Sequence, residues 1–383
     1  VTGDSVDQPE LSSRLAVRRL TLTDFRCYVR MRTETDSRPV VLTGANGAGK
    51  TNVLEALSFL APGRGMRRAA LAEVGRHGSL SPAWAVAAVL DGPAGRVEIG
   101  TGREGASERR TIRIDGQPAK ARNLAGLVSA LWLTPAMDRL FIEGAGGRRR
   151  FLDRLVLGQD EGHAARSGAY EHAMRERSRL LRAGGADGKW LTVLEEGMAR
   201  HGVAVAKARV AAVTRLDAAC RLGIGAFPAA HLSLGGEIED WAATLPEAEA
   251  EERFRQALAR LRGRDTAAGG ATLGPHRSDL AVRHGGKDMP AGQCSTGEQK
   301  AVLVSIVLAQ ARVRTELSGL APLLLLDEVV AHLDETRRLA LFDELAGLNA
   351  QSWMTGTDES MFAGLGDRAQ FFRVADASVQ PAT

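Results

Sequence analysis

The chain has 383 residues, more than one compact core usually holds, and its 44% hydrophobic and 25% charged content is that of an ordinary water-soluble globular protein. A formal net charge of +4 is mildly basic, which fits a nucleic-acid partner without requiring one. Three scattered cysteines, Cys27, Cys220 and Cys294, exclude a disulfide framework and zinc spacing and fit a reducing cytoplasm, and the longest apolar run, LAPLLLL, is too short to cross a bilayer.

In chain order, residues 1–14 are polar, have no apolar stretch of the kind a secretory signal carries, and are expected to form a flexible N-terminus. LAVRRLTLTDF alternates apolar and polar residues, the period of a strand. PVVLTGANGAGKTNVLEALSFL then gives a buried strand, a Gly-rich turn and a helix. Between 83 and 118 the sequence predicts hairpin strands with Asp-Gly turns. From about 124 it becomes rich in Ala, Leu, Arg and Glu and predicts helices, interrupted at Gly184-Gly185. After residue 268 strands and helices alternate again: a long, mostly apolar helix after CSTGEQK, the strand PLLLL, the helix ETRRLALFDELAGL and the strand QSWMTGT. The expected organisation is therefore a flexible N-terminus at 1–14, an α/β domain begun at 15–123 and completed at 269–383, and a mostly helical insert at 124–268.

The segment Gly44, Ala45, Asn46, Gly47, Ala48, Gly49, Lys50 and Thr51 fits a P-loop, and the strand before it and helix after it are the context that motif needs. Its glycines let successive N–H groups turn inward around a phosphate; Lys50 would reach the β- and γ-phosphates of ATP and Thr51 would hold Mg²⁺. PLLLLDE places two carboxylates at the carboxyl edge of a parallel strand, where ligands bind. Asp327 would hold Mg²⁺ through its water shell, and Glu328 would orient or deprotonate the attacking water. Ser295 with Glu298 three residues on reads as a capping box at a helix start, a second place suited to an anion. Such a cradle makes sense if it serves the γ-phosphate held by another copy of the chain.

P-loop, Ser-Thr-Gly-Glu-Gln, Asp-Glu and AHLD, in that order, resemble an ABC-type ATPase head with signature motif, Walker B and D-loop. The resemblance implies that Ser295, Gly297, Glu298 and Gln299 form the signature, with Lys300 just beyond it, and that Asp334 is the D-loop aspartate. LTLTDFRCY, APGRGMRRA, WLTPAMDRLF, GPHRSDL and MTGTD narrow it further, to the RecF family of bacterial recombination and gap-repair proteins, over about residues 17–374. The fold class this implies is α/β, an ABC-type P-loop ATPase head split in sequence, with an inserted mostly helical domain. The implied function is a cytoplasmic clamp that dimerises on ATP, binds DNA gaps at single-strand/double-strand junctions, hydrolyses ATP slowly, and helps load RecA together with RecR and RecO.

Two places depart from a generic ABC head. Where a His usually touches the γ-phosphate the chain has Thr355-Gly-Thr357, so Thr355 or Thr357 is the candidate sensor, and LTPAMD replaces the usual Q-loop, with Thr134 and Asp138 as polar candidates. Candidate DNA contacts are Arg64, Arg67 and Arg68 after the P-loop helix and Arg148, Arg149 and Arg150 at the start of the insert. Over 141–215 there are fourteen Lys/Arg against nine Asp/Glu, but no aromatic interleaving, so backbone contact is favoured over base stacking. His276 and Arg277 read more simply as a local structural cap. The alternative function is an adaptor in which ATP serves only to drive dimerisation; Glu328, a carboxylate poised for water, argues for turnover. A transporter subunit is the third reading, and neither the insert nor the basic clusters suggest a membrane partner.

Overall fold

A computed structural model of the chain describes residues 14–93, 95–184 and 188–382. Most of the N-terminal stretch expected to be flexible, residues 1–13, lies outside the described residues, as does Gly185 of the Gly184-Gly185 break. Arg14 is anchored: its guanidinium donates to Ser37 O at 2.8 Å and Asn349 O at 3.0 Å.

Compact contacts divide the chain into two units, residues 1–135 with 314–383, and residues 136–313. The first unit contains two six-stranded sheets. The antiparallel one is built from β1 (Ala16–Phe25), β2 (Tyr28–Glu34), β4 (Trp84–Gly92), β5 (Gly95–Arg103), β6 (Thr111–Ile114) and β7 (Gln117–Pro118), in the order β2-β1-β4-β5-β6-β7. At the β6–β7 turn both Asp115 (φ 48°) and Gly116 (φ 76°) are left-handed, the geometry that makes Asp-Gly a hairpin signal.

The second sheet has the order β15-β14-β3-β13-β12-β8, built from β3 (Val40–Thr43), β8 (Ala130–Leu133), β12 (Leu323–Leu326), β13 (Ser352–Gly356), β14 (Gln370–Ala375) and β15 (Ser378–Pro381). Its pairings are parallel except β14–β15. Every residue of β3, β12 and β13 is buried, which is why β3 and β12 read as apolar runs that do not alternate, while β13 carries the buried hydroxyls of Ser352 and Thr355. Helices α1 (Lys50–Ser58), α2 (Leu71–Val74) and α10 (Glu335–Gly347) complete this unit. Gln351, fully buried, links the two sheets: its side-chain oxygen accepts from Val17 N–H (2.8 Å), and its amide donates to Asp36 O (2.7 Å). A buried Phe25–Phe59–Trp84 cluster, with ring centroids 5.2–6.2 Å apart, fixes the end of α1 against the antiparallel sheet.

The second unit is mostly helical: α3 (Ala145–Leu157), α4 (His163–Ala183), α5 (Gly188–Arg221), α6 (Glu237–Thr244), α7 (Glu247–Arg260) and α8 (Arg262–Ala267), with most of α9 (Thr296–Ser318). Its core includes Tyr170, Met198, Val203, Phe254 and Leu258, where Gly202 allows close approach: a Cβ there would lie 2.8 Å from the Phe254 ring. It also holds a small antiparallel sheet, β11-β10-β9, from β9 (Ala230–Gly235), β10 (Asp279–His284) and β11 (Met289–Pro290).

The limits expected for the insert, 124 and 268, differ from those of this unit, 136 and 313. Two strand pairings account for the difference. β8 adds to the parallel sheet beside β12, which keeps 130–133 with the first unit. β10 pairs with β9 over six residues, which holds 279–284 in the second.

Candidate functional site

The parallel sheet explains how the P-loop and Asp327 meet. The P-loop leaves β3, Asp327 follows β12, and β13 runs between them. Residues 45–47 form the exposed crest of the loop, while Gly49 and Lys50 are buried. Gly44 (φ 149°) passes so near Val374 that a Cβ would sit 2.2 Å from its carbonyl oxygen. Gly49 (φ 112°) is the N-cap of α1; a Cβ there would lie 2.7 Å from the Tyr28 hydroxyl and 2.8 Å from Cys27 Sγ. No side chain caps α1, so its first amides present the positive end of the helix to the loop.

Lys50 Nζ donates to Gly44 O (2.6 Å) and Ala45 O (2.9 Å), folding its ammonium over the loop. Burial pushes its pKa below the usual lysine value, and the nearby Glu328 and Asp327 carboxylates oppose that shift. Thr51 Oγ1 donates to the Asp327 carboxylate at 2.9 and 3.1 Å. Asp327 is 4% exposed and Thr51 lies across the sheet edge from it, so the residues proposed to hold Mg²⁺ are brought together. Their donor set is a hydroxyl and a carboxylate, oxygen only, which suits a hard divalent cation that keeps several waters. Among the described residues no group of three or more His, Cys, Asp or Glu side chains forms a separate metal cluster.

Thr355 requires a correction. Expected as a possible phosphate sensor, it is fully buried at the end of β13, behind Asp327. Its hydroxyl donates to Asp327 Oδ1 (2.8 Å) and accepts from Glu328 N–H (2.8 Å). One side chain thus orients the carboxylate and pins the peptide that carries Glu328. Glu328 itself is left-handed (φ 48°) and partly exposed, so the strand turns sharply here and presents its side chain at the sheet edge. Thr357, the other candidate, is exposed just past the strand.

The signature segment is described within its own unit. Ser295 and Thr296 are exposed, and the Glu298 carboxylate accepts from both Ser295 N–H (3.0 Å) and Ser295 Oγ–H (2.9 Å). The Lys287 ammonium 2.5 Å away, together with these bonds, holds the Glu298 carboxyl down to about 2. Gln299 Nε2 donates to Cys294 O (2.8 Å), and nothing lies within 4 Å of a Cβ built on Gly297, which leaves the first turn open. Buried Lys300 faces Asp138 at 3.7 Å, so Asp138 serves an internal contact in this unit; Thr134, in the other unit, follows β8. Asp334 is the N-cap of α10, accepting from Arg337 N–H (2.8 Å).

Several candidate DNA contacts are tied internally. Arg148 makes two bonds to the Asp279 carboxylate (2.7 and 2.8 Å) and also donates to Glu143 O, and Arg149 donates to Ser278 O (2.7 Å). Arg67 donates to Glu55 (2.8 Å) and Asn52 (2.9 Å), and Arg26 makes two further bonds to the same Glu55. Glu55 is fully buried on α1, so this cluster braces the P-loop helix. Arg64, Arg68 and Arg150 are exposed. His276 is a structural group, as its sequence context suggested: Nε2 lies 2.9 Å from Ala271 O, Nδ1 lies 2.7 Å from the Tyr170 hydroxyl, and burial lowers its pKa. The bracing roles of Thr355 and Glu55 were missed from sequence; no local spacing signals them, because each partner lies 12 to 29 residues away.

Comparison with known proteins shows the family and the fold. The family model described as "RecF/RecN/SMC N terminal domain" matches residues 16–378. The chain is 52% identical to the DNA replication and repair protein RecF of Mesorhizobium japonicum over 371 residues, which is 95% of this chain and 97% of that protein. It is 50% identical to the protein of that description from Rhizobium meliloti, over 94% of this chain and 97% of the relative. Its fold is similar to a structure of the recombination mediator protein RecF–ATPrS in the RecFOR pathway, with a TM-score of 0.84 at 20% identity, covering 97% of this chain and 99% of the other. The Smc head domain of Pyrococcus furiosus is more distant, with a TM-score of 0.52 at 15% identity and 96% of each chain covered.

Proposed function

This chain belongs to the RecF family of DNA replication and repair proteins, and from that premise we propose that it is an ATP-gated DNA clamp with slow ATP turnover. The observation that carries the reading is the Thr51–Asp327–Thr355–Glu328 arrangement, in which one buried hydroxyl bonds both the Asp327 carboxylate and the Glu328 N–H while Asp327 also accepts from Thr51. The P-loop amides and Lys50 would bind the β- and γ-phosphates of ATP. A Mg²⁺ ion held by Thr51 and Asp327 would draw charge off those phosphates. Glu328 would orient a water for in-line attack or take its proton. Ser295 and Gly297, on the open first turn that buried Gln299 braces through Cys294 O, would meet the γ-phosphate held by a second copy of the chain, so that ATP closes a dimer and hydrolysis opens it.

The closed dimer would bind single-strand/double-strand junctions at DNA gaps and act with RecR and RecO in loading RecA. Supporting this reading, curated relatives at about 50% identity carry the description of DNA replication and repair proteins. A cytoplasmic location fits a DNA substrate, and among the described residues no helix is long and apolar enough to cross a membrane.

Solution mass by light scattering, with and without ATP–Mg²⁺, tests the dimer. Wild type should double in mass with nucleotide, and Ser295→Arg should not. If wild type stays a monomer at micromolar concentration, or the variant dimerises equally well, the two-copy site is wrong.

A further inference from the structure

We propose that the second unit carries a phosphodiester-binding groove between α4 and the loop 270–277, built by Arg175, Arg179, Arg182 and Arg277, which grips a DNA backbone without reading its sequence. This rests on the DNA-binding reading above and names a surface for it. The groove is open and has a volume of about 480 Å³. Arginines supply its charge; Glu176 is the acidic residue on its wall.

The helix dictates the layout. At 100° and 1.5 Å per residue, positions 175, 179 and 182 fall within about 60° of arc and span roughly 10 Å along the axis, a length that reaches two or three successive phosphates. Arg177 lies on the opposite face and does the opposite job: it is fully buried, bonded to Glu195 (2.9 Å), Asp265 (2.7 Å) and Leu258 O (2.7 Å). One stretch of α4 therefore separates its arginines into an internal brace and an exposed stripe.

The opposite wall is held in place before any ligand arrives. Asp265, buried by Arg177, accepts from Thr272 N–H (2.8 Å) and Thr272 Oγ1 (2.7 Å). His276 bridges Tyr170 on α4 and Ala271 O. Gly274 (φ 147°) lies so close that a Cβ would sit 2.1 Å from the Tyr170 hydroxyl. Arg277 projects from this braced loop, its guanidinium resting on Ala271 O at 3.2 Å. The spacing between the two walls is thus set by buried bonds.

The exposed guanidiniums are free to exchange partners. Arg175–Glu171 (3.6 Å) and Arg179–Glu176 (2.5 Å) are solvent-exposed pairs within one helix, which contribute little to stability and yield readily to a phosphate. Arg182 rests on a main-chain carbonyl, Ser178 O, at 3.2 Å. The planar forks suit phosphate oxygens, and the lining has no aromatic ring on which a base could stack beyond the His276 imidazole, whose two nitrogens are already bonded. Arg148 and Arg149, which the sequence favoured, are consumed by internal bonds.

The test is the salt dependence of DNA binding by the full-length protein with ATP–Mg²⁺, using a gapped duplex between 50 and 200 mM salt. The variant is Arg175→Ala/Arg179→Ala/Arg182→Ala. Alanine is the best helix former, so the exposed face of α4 keeps its helix, and ATP-driven mass doubling reports that the head is intact. Each lost phosphate contact flattens the slope of log K against log salt by about 0.9, so the variant should be shallower by about 2 to 3, with weakened binding to every sequence. Arg277→Ala alone should flatten it by about 1. A variant with wild-type affinity and slope overturns the groove and leaves it to an acidic protein segment. Wild-type protein that binds no DNA at all defeats the broader DNA reading, and this proposal with it.

Discussion

Two helices in this chain begin beside motifs for phosphate, and they begin differently. α1 starts at Gly49 with no side-chain cap, its first turn framed by the Lys50 ammonium and backed by Tyr28. α9 starts after Ser295 with the Glu298 carboxylate folded onto Ser295 and held by Lys287. An uncapped, dipole-positive end with a buried cation beside it is organised for an anion that stays. A self-capped end satisfies its own amide until something competes, which suits a contact made only when a second molecule arrives. On the proposed function, the first is the resident nucleotide site and the second the contact made to another copy of the chain.

The sharpest way to break that contrast is at the chemistry. Glu328→Gln should lower ATP turnover by about 10²- to 10⁴-fold, the range for losing a positioned base, while nucleotide binding stays near wild type. Equal turnover in a phosphate-release assay would leave ATP as dimerisation glue alone. Next, Lys50→Ala removes a charged donor whose hydrogen bonds are worth about 1.5–3 kcal/mol, so nucleotide affinity by calorimetry should fall roughly 10- to 150-fold.

Thr355→Val tests whether the buried hydroxyl positions the site. It strands the Glu328 N–H and removes a donor to Asp327, at a cost of about 1–3 kcal/mol, which thermal unfolding should register. Turnover should fall while the KM for ATP changes little, and Thr355→Ser should restore both turnover and stability. A variant with an unchanged melting point and unchanged turnover would return Thr355 to the list of passive core residues.

The smallest effect belongs to Glu298. Its folded-state pKa is depressed, to about 2 from an ordinary 4.5, so any stabilisation is present above 4.5 and is lost as the pH falls toward 2. Glu298→Gln should leave stability at pH 7 nearly unchanged because the half-buried carboxylate and its exposed Lys287 partner form a surface pair, and should remove a carboxyl titration near pH 2 from the NMR spectrum. If it weakens ATP binding by monomer as much as Lys50→Ala does, the distinction between the two helix starts fails.

The parts of the site that are contiguous in sequence were legible before the fold was known. Gly44 to Thr51 announces a strand, a loop and a helix within a dozen residues, and LLLLDE announces a buried strand ending in carboxylates. ALWL at 130–133 was absorbed into a helical stretch, since four apolar residues alone do not distinguish a strand from a helix; its pairing with β12, almost two hundred residues later, decides it. β9 was missed for a similar reason, its partner β10 lying more than forty residues away. The arginine triplet at 148–150 looked like a DNA patch because charge is visible in sequence and its partners are not; Asp279 and the Ser278 carbonyl, about 130 residues on, claim two of the three.

Sequence alone determined the chemistry proposed here: a Gly-rich loop suited to phosphate, a hydroxyl and a carboxylate suited to a cation, and a second carboxylate suited to a water. Each of those depends on residue type and short spacing, and local backbone geometry enforces both. Tertiary structure decided what holds that chemistry and which charges remain outside. Thr355 lies under Asp327 because β13 runs between the two strands that carry the site, and Arg177 is buried while Arg175, Arg179 and Arg182 face solvent because α5 and α8 cover only one side of α4. Such partnerships form only when distant segments pack, since burial determines which hydrogen bonds must be made and which charges stay in water.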